Sequence, residues 1–242
     1  MPTRDRMVRR HRIGPTPTHT TAAGHGHATA QHSGVNAFQP DIGGEPRPDA
    51  ILDDVWAALA RGKADRKHAY HQPVIATTDA EGRPDARTVV LRFVDRATST
   101  LGFHTDARSP KLDHLRLAPT LAWHFYDPGA KTQLRIRAEA SIHTDDPIAD
   151  EAWAATRLFS RRCYLAPRPP SLPAARPSPN LPEDLLETDP DHDRSEAGRA
   201  NFAVVRARIL EIDWLWLRRG GHLRARFTGG PDADPGFTWL EP

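Results

Sequence analysis

The spacing of apolar side chains changes several times along the chain, and each change predicts an element. Between 50 and 61, Ile51, Leu52, Val55, Trp56 and Leu59 recur at helical intervals, and Gly62 follows as a stop, which predicts a first helix. Strands are predicted at 72–78, 87–94 and 100–105, the first two separated by the turn Asp79-Ala80-Glu81-Gly82. Ser109-Pro110-Lys111 has the form of a helix start: serine is a good N-cap, and proline at the first helical position gives up only an N–H that has no partner there. Leu112 and Leu115 supply the buried side of that helix, and a strand is predicted at 121–126.

The clearest strand is 132–143. Leu134, Ile136, Ala138, Ala140 and Ile142 alternate with Gln133, Arg135, Arg137, Glu139 and Ser141, a period of two with one face wet. A helix is predicted at 147–160. Seven prolines between 165 and 182 then predict an extended, semi-rigid loop within an insertion covering 165–198. Strands at 202–217, 222–228 and 236–240 complete the sheet, with Arg218-Arg219-Gly220-Gly221 as a hairpin turn. Strands that meander, with helices inserted rather than alternating, argue against a parallel doubly wound sheet. The predicted class is mainly β with α insertions: one domain over 47–242, built as an antiparallel barrel that hides its strand edges.

Residues 1–46 hold almost no large apolar side chains, so they predict a disordered tail. The tail carries His11, His19, His25, His27 and His32, but their spacing is irregular and no carboxylate or cysteine joins them, so no metal site is assigned. The charges nearly cancel, 33 Lys+Arg against 31 Asp+Glu, and supply no global basic field for nucleic acid. Cys163 is the single cysteine, which excludes an internal disulfide and fits a reducing, cytoplasmic setting. No apolar run is long enough to span a bilayer, and no apolar segment follows the N-terminal arginines, so neither a membrane span nor a secretory signal is expected. Only four of the 33 basic residues are lysines (Lys63, Lys67, Lys111, Lys131), so a lysine at a candidate site carries more weight than an arginine.

None of the common catalytic signatures is present: no Gly-x-Ser-x-Gly, no His-Glu-x-x-His, no phosphate loop, no Rossmann glycine pattern. Two segments stand out instead. Arg87-Thr88-Val89-Val90-Leu91-Arg92 is an apolar strand charged at both ends. Phe103-His104-Thr105-Asp106-Ala107-Arg108-Ser109-Pro110-Lys111 is a strand end flowing into a helix N-terminus. Free N–H groups, the positive end of the helix dipole, the Thr105 and Ser109 hydroxyls and the Arg108 and Lys111 cations converge there within one turn, which is the chemistry of an anion site. A phosphomonoester would be met by charge-assisted hydrogen bonds; an ordinary capped helix with surface charges would read the same way.

The order of these segments, followed by Gln133, Trp216 and Arg226, resembles the pyridoxamine 5'-phosphate oxidase-like FMN-binding split-barrel family over residues 48–242. The resemblance implies FMN at a homodimer interface, its phosphate held by Arg87, Ser109 and Lys111. It implies that the strand Thr88, Val89, Val90, Leu91 and Arg92 passes the flavin ring, that His104 and Thr105 line it, and that Gln133, Trp216 and Arg226 reach it across the dimer. By composition alone Trp216 reads as core beside Trp214, and Arg226 as an exposed strand charge.

The departures from the family pattern cluster on the substrate side. Ser109-Pro110-Lys111 stands where those oxidases have Ser-Arg-Lys, leaving Arg108 to supply the guanidinium. His222-Leu223-Arg224 reverses their Arg-x-His, and Arg92 stands where a lysine often closes the first motif. Trp153 and Arg157 occupy the places of a tyrosine and an arginine that bind the substrate phosphate. The expected function is therefore an FMN-dependent oxidoreductase acting on a small anionic substrate, with hydride transfer to flavin and reoxidation by O2 or another acceptor. Arg92, Arg157, His222 and Arg224 are assigned to the substrate side, and no residue is singled out as catalytic. A genuine pyridoxamine 5'-phosphate oxidase, a flavin store or sensor without catalysis, and a deazaflavin or haem protein on the same fold stay open.

Overall fold

The structure is a computed structural model, and it describes residues 46–229 and 236–242. The predicted tail and its five histidines thus lie outside the described residues, save for Pro46. Helix α1 (Pro48–Ala64) is followed by strands β1 (Val74–Thr78), β2 (Pro84–Thr88), β3 (Phe93–Asp95) and β4 (Thr100–Asp106). Helix α2 (Pro110–Leu117), strand β5 (Thr120–Asp127) and strand β6 (Thr132–His143) come next. The helical insertion contains α3 (Pro147–Ala155), α4 (Leu158–Arg161) and, after the proline-rich loop, α5 (His192–Glu196). Strands β7 (Phe202–Trp216), β8 (Leu223–Thr228) and β9 (Gly236–Leu240) finish the domain. Among the described residues no helix is long and apolar enough to cross a membrane.

All strand pairings are antiparallel, in the order β2-β1-β5-β6-β7-β4-β3, with β8 and β9 extending from β7. The two ends of that path are one stretch of chain. Between β2 and β3 the backbone N–H groups of Val89 and Leu91 donate to the carbonyls of Pro73 and His71, at 2.9 and 3.0 Å. The next N–H, of Arg92, donates at 2.8 Å to Gly102 on β4. The segment 84–95 therefore changes partners partway along, closing the ring of strands through a split.

The period-two pattern of β6 survives intact: Leu134, Ile136 and Ala138 are buried while Arg135, Arg137 and Glu139 are exposed. Trp123, Phe125, Phe103 and Trp214 fill the barrel, with the Trp123 and Phe125 rings stacked at 5.9 Å and Phe103 edge-on to Trp123 at 5.6 Å. Ile51, Val55 and Leu59 of α1 join this core. Burying each such aliphatic side chain contributes roughly 1.5–3 kcal/mol, which is why the apolar stripe fixes how the helix docks.

Three local expectations need correction. Gly62 does not stop α1, which runs on to Ala64; a Cβ at Gly62 would lie 2.7 Å from Tyr70 Cβ, so glycine is needed there for close packing. The strand expected at 87–94 is two pieces, because its hydrogen bonds switch sides at 89–92. The helix expected at 147–160 breaks at Thr156 and Arg157, both in extended backbone, and restarts as α4.

Candidate functional site

The turn from β4 into α2 is assembled as its sequence suggests, with one substitution of roles. Ser109 occupies the N-cap position in extended backbone, yet its hydroxyl caps nothing. It accepts instead from Lys111 Nζ at 2.6 Å, and the same ammonium donates to Thr105 Oγ1 at 2.9 Å. Thr105 and Ser109 are both buried, and Lys111 has no carboxylate partner among the described residues. Burial first, and the nearby Arg87 charge second, hold the Lys111 pKa below the usual lysine value. A cation in that condition is stabilised by an arriving anion.

Arg87 reaches the same place from β2. Its Nη1 donates to Thr77 Oγ1 at 2.7 Å, and the Thr77 hydroxyl is hydrogen-bonded in turn to His114 Nδ1 of α2 at 3.0 Å. Asp85 pairs with the other arm of Arg87. Arg108 behaves differently from its expected role: it forks onto Asp106 at 3.0 and 2.7 Å and donates to the Ala166 carbonyl at 3.0 Å. Its charge is matched by Asp106, and it straps the proline-rich loop to the strand end.

Beside this turn lies a cavity of about 650 Å3, in the size range of small-molecule sites. Val90, Arg92, His104, Thr105, Ser109 and Lys111 form its inner wall. The strand 87–92 divides by side: Val89 and Leu91 are buried in the core, Val90 and Arg92 face the cavity, and Thr88 is exposed. The Arg92 guanidinium makes no ion pair among the described residues. His104 packs edge-on against Phe202 at 4.9 Å; burial, then the charges of Arg92 and Arg206, push its pKa down to about 4, so the ring is neutral at pH 7.

The remaining predicted residues lie at the far end of β7. Val204 of β7 pairs with His104, whereas Trp216, twelve positions on, pairs with Thr132. Twelve strand residues span about 40 Å. Gln133 accepts a hydrogen bond from His124 Nε2 at 3.2 Å, and Trp216 tilts against Trp214 with ring centroids 6.5 Å apart. Arg224 forks onto Asp213 at 3.1 and 2.7 Å, and Arg135 joins the same carboxylate at 2.6 Å. Glu211 answers Arg137 at 2.8 Å and lies 3.6 Å from Arg226 Nε, a buried donor with no hydrogen-bond partner. His222 is exposed in the loop before β8. This register keeps one chain from bringing both groups of residues to one ligand.

Arg157 lines a separate cavity of about 560 Å3 among α3, α4 and α5, touching the larger cavity only through their shared Thr156. Trp153 is buried, its ring N–H donating to Glu196 at 3.1 Å. Arg161, which sequence reasoning passed over, is buried beside it and donates to Thr156 O, Ser195 Oγ, Glu196 Oε1 and Trp153 O. Asp213 was missed as well. The available signal was a pair of carboxylates, Glu211 and Asp213, on the otherwise apolar run Ile209 to Trp216, opposite the arginines of neighbouring strands.

Comparison with known proteins follows the same lines. Residues 53–144 match the family model described as pyridoxamine 5'-phosphate oxidase, FMN-binding domain. Pyridoxine/pyridoxamine 5'-phosphate oxidase 2 of Arabidopsis thaliana is 31% identical over 127 residues, 48% of this chain and 64% of that protein. The pyridoxine/pyridoxamine 5'-phosphate oxidase of Hyphomonas neptunium is 30% identical over 128 residues, 53% of this chain and 55% of that one. The chain thus spans less than two thirds of the length of these curated relatives. Among solved structures, a pyridoxamine 5'-phosphate oxidase-related, FMN binding protein from Nostoc punctiforme superposes with a TM-score of 0.64 at 22% identity, covering 82% of this chain and all of that one. PhzG from Burkholderia lata, solved with tetrahydrophenazine-1-carboxylic acid, gives a TM-score of 0.59 at 17% identity over 86% of this chain and 99% of that one. At such identities the structural likeness establishes the fold, a split barrel, and nothing finer.

Proposed function

Because the chain belongs to the pyridoxamine 5'-phosphate oxidase-like FMN-binding split-barrel family, we propose that it is an FMN-dependent oxidoreductase holding the flavin phosphate at Arg87, Ser109 and Lys111. The observation that carries this reading is Lys111, a half-buried cation bonded only to the Thr105 and Ser109 hydroxyls. Those hydroxyls and the Lys111 ammonium fit a phosphate, the backbone N–H groups of Arg108, Ser109 and Leu112 being already bonded within the turn, and Arg87, paired on one arm with Asp85, adds a second cation. Bound FMN would supply the redox chemistry, accepting hydride and being reoxidised by O2 or another acceptor.

The chain's own residues would do the positioning. Val90 presents an apolar edge to the ring, and neutral His104 offers a hydrogen bond without adding charge to the cavity. Arg92 is free to orient an anionic substrate. The opposite-end location of Gln133, Trp216, His222, Arg224 and Arg226 supports a homodimer in which the partner's set completes each site, and a cytoplasmic setting goes with this reading.

The test starts with the absorption spectrum of the purified protein and titration with FMN. Flavin bands and saturable binding are expected, with the combined Ser109→Ala and Lys111→Ala variant weakening FMN by about a hundredfold, two lost charge-assisted contacts. A haem band, or equal FMN affinity in the variant, would overturn the assignment. Incubation with pyridoxamine phosphate, assayed for pyridoxal phosphate and peroxide, separates a genuine oxidase of that substrate from a relative with another one. Inertness of the reduced flavin toward a panel of acceptors would instead favour a binding protein without catalysis.

A further inference from the structure

We propose that the segment 159–181 forms a selective outer wall over the cavity, admitting a substrate with an apolar, ring-sized body and one carboxylate that Arg92 receives, in preference to a phosphomonoester. The inference rests on the flavin reading, since it assigns Lys111 and Ser109 to the cofactor and leaves Arg92 for the second reactant.

The wall is mainly apolar where it meets the cavity, with Ser160, Arg162 and Cys163 as polar members. Phe159, Pro170, Pro179 and Leu181 line it. Asn180, the amide among them, is occupied on both sides: Oδ1 accepts from Arg168 N at 3.2 Å and Nδ2 donates to Arg168 O at 2.8 Å. An apolar body sheds its water against such a surface at a gain, whereas a dianion set there would lose hydration that Arg162, already engaged by two carbonyls and Asp189, restores only in part.

The cations near the wall are committed elsewhere. Arg161 is buried and fully bonded, and Arg157 lines the neighbouring cavity. Arg162 lies 3.9 Å from Asp189 and donates to the Leu185 and Thr188 carbonyls at 3.4 and 3.5 Å. Of the two guanidinium groups that line this cavity, Arg92 and Arg162, Arg92 is the one without an ion pair among the described residues. One planar fork matches one carboxylate with two parallel bonds.

The wall is also anchored, so it sets the shape of the space rather than yielding to a guest. Arg108 holds Ala166 against Asp106, Asn201 Nδ2 donates to the Tyr164 carbonyl at 2.8 Å, and the prolines restrict the segment between these ties.

The experiment uses the full chain saturated with FMN, which keeps the phosphate turn filled. It measures calorimetric affinities for 1-naphthoate, 1-naphthyl phosphate and 1-naphthylmethanol, one ring system with three charges. Naphthoate is expected to bind about tenfold more tightly than either of the others, and Leu181→Arg, which adds a cation to the wall, to shift the preference toward naphthyl phosphate. Equal or tighter binding of naphthyl phosphate to the unmodified protein overturns the inference, as does equal binding of the alcohol. Failure of the chain to bind FMN at all overturns both readings, whereas FMN binding with a phosphate preference overturns this one alone.

Discussion

The two ends of β7 hold their cations in opposite ways. At the β4–α2 turn Lys111 rests on two hydroxyls, which orient the ammonium but leave its charge unanswered. On the outer face of β6, β7 and β8, Arg135 and Arg224 share Asp213, and Arg137 meets Glu211. The first arrangement is poised for an anion; the second is already neutralised locally and works as scaffold. Counting basic residues cannot tell them apart, because the distinction lies in what each cation touches. Arg108 makes the same point within a single turn, since it sits three residues from Lys111 and is matched by Asp106.

The sharpest way to break this contrast is to remove the acceptor at the scaffold end. Asp213 is almost fully buried and accepts three charge-assisted bonds, so Asp213→Ala strands two guanidinium groups. The expected loss is about 3 kcal/mol of unfolding free energy, read from the urea midpoint, with Asp213→Asn losing less because it keeps the shape and an acceptor. A loss under about 0.5 kcal/mol would mean the carboxylate is not structural. At the other end the sign for the empty protein should reverse. Lys111→Ala relieves a poorly solvated cation, so the stability of FMN-free protein stays level or rises, while FMN affinity falls about thirtyfold, or about 2 kcal/mol. Paired denaturation and FMN titrations of the one variant check both halves, and a variant that unfolds more easily yet binds FMN normally would erase the contrast.

Much of the barrel is legible in the sequence. The strand 132–143 was placed to the residue, because alternation reports directly which side chains face the core. The helix start at Ser109-Pro110 is legible because a proline at the first helical position is a local signal, whereas the service of the Ser109 hydroxyl to Lys111 in place of a cap is not. What period and composition cannot report is which neighbours a face meets. The Asp213–Arg224–Arg135 cluster depends on the registers of three strands, and the partner change at 89–92 depends on barrel closure. Gly62 shows the same limit in a helix: a glycine after an apolar stripe looks like a stop, and only the approach of Tyr70 shows that its missing side chain is what matters. The break at Thr156 and Arg157 was hidden for a related reason, since Arg161, folded back onto the Thr156 and Trp153 carbonyls, meets backbone groups there in a way no helical pattern encodes.

The smallest expected effect refines what an unanswered charge does to its surroundings. His104 shares the cavity with Arg92, and burial and that charge together push its pKa down to about 4. In the unfolded chain the ring titrates near 6.5, so between those values the unfolded state binds a proton that the folded state refuses. The histidine's contribution is therefore unimpaired above about pH 6.5, declines as pH falls toward 4, and changes no further below that. Because the ring borders an open cavity, the penalty at the acid end should be on the order of 1–2 kcal/mol, less than the full shift would imply. Carboxylates elsewhere titrate in the same range, so the useful quantity is the difference between the parent and His104→Gln stability curves, which should open between pH 6.5 and 4. Arg92→Gln should narrow that difference by removing one of the two nearby positive charges, and a difference indifferent to Arg92 would mean that burial alone sets the histidine and that the guanidinium's field does not reach across the site.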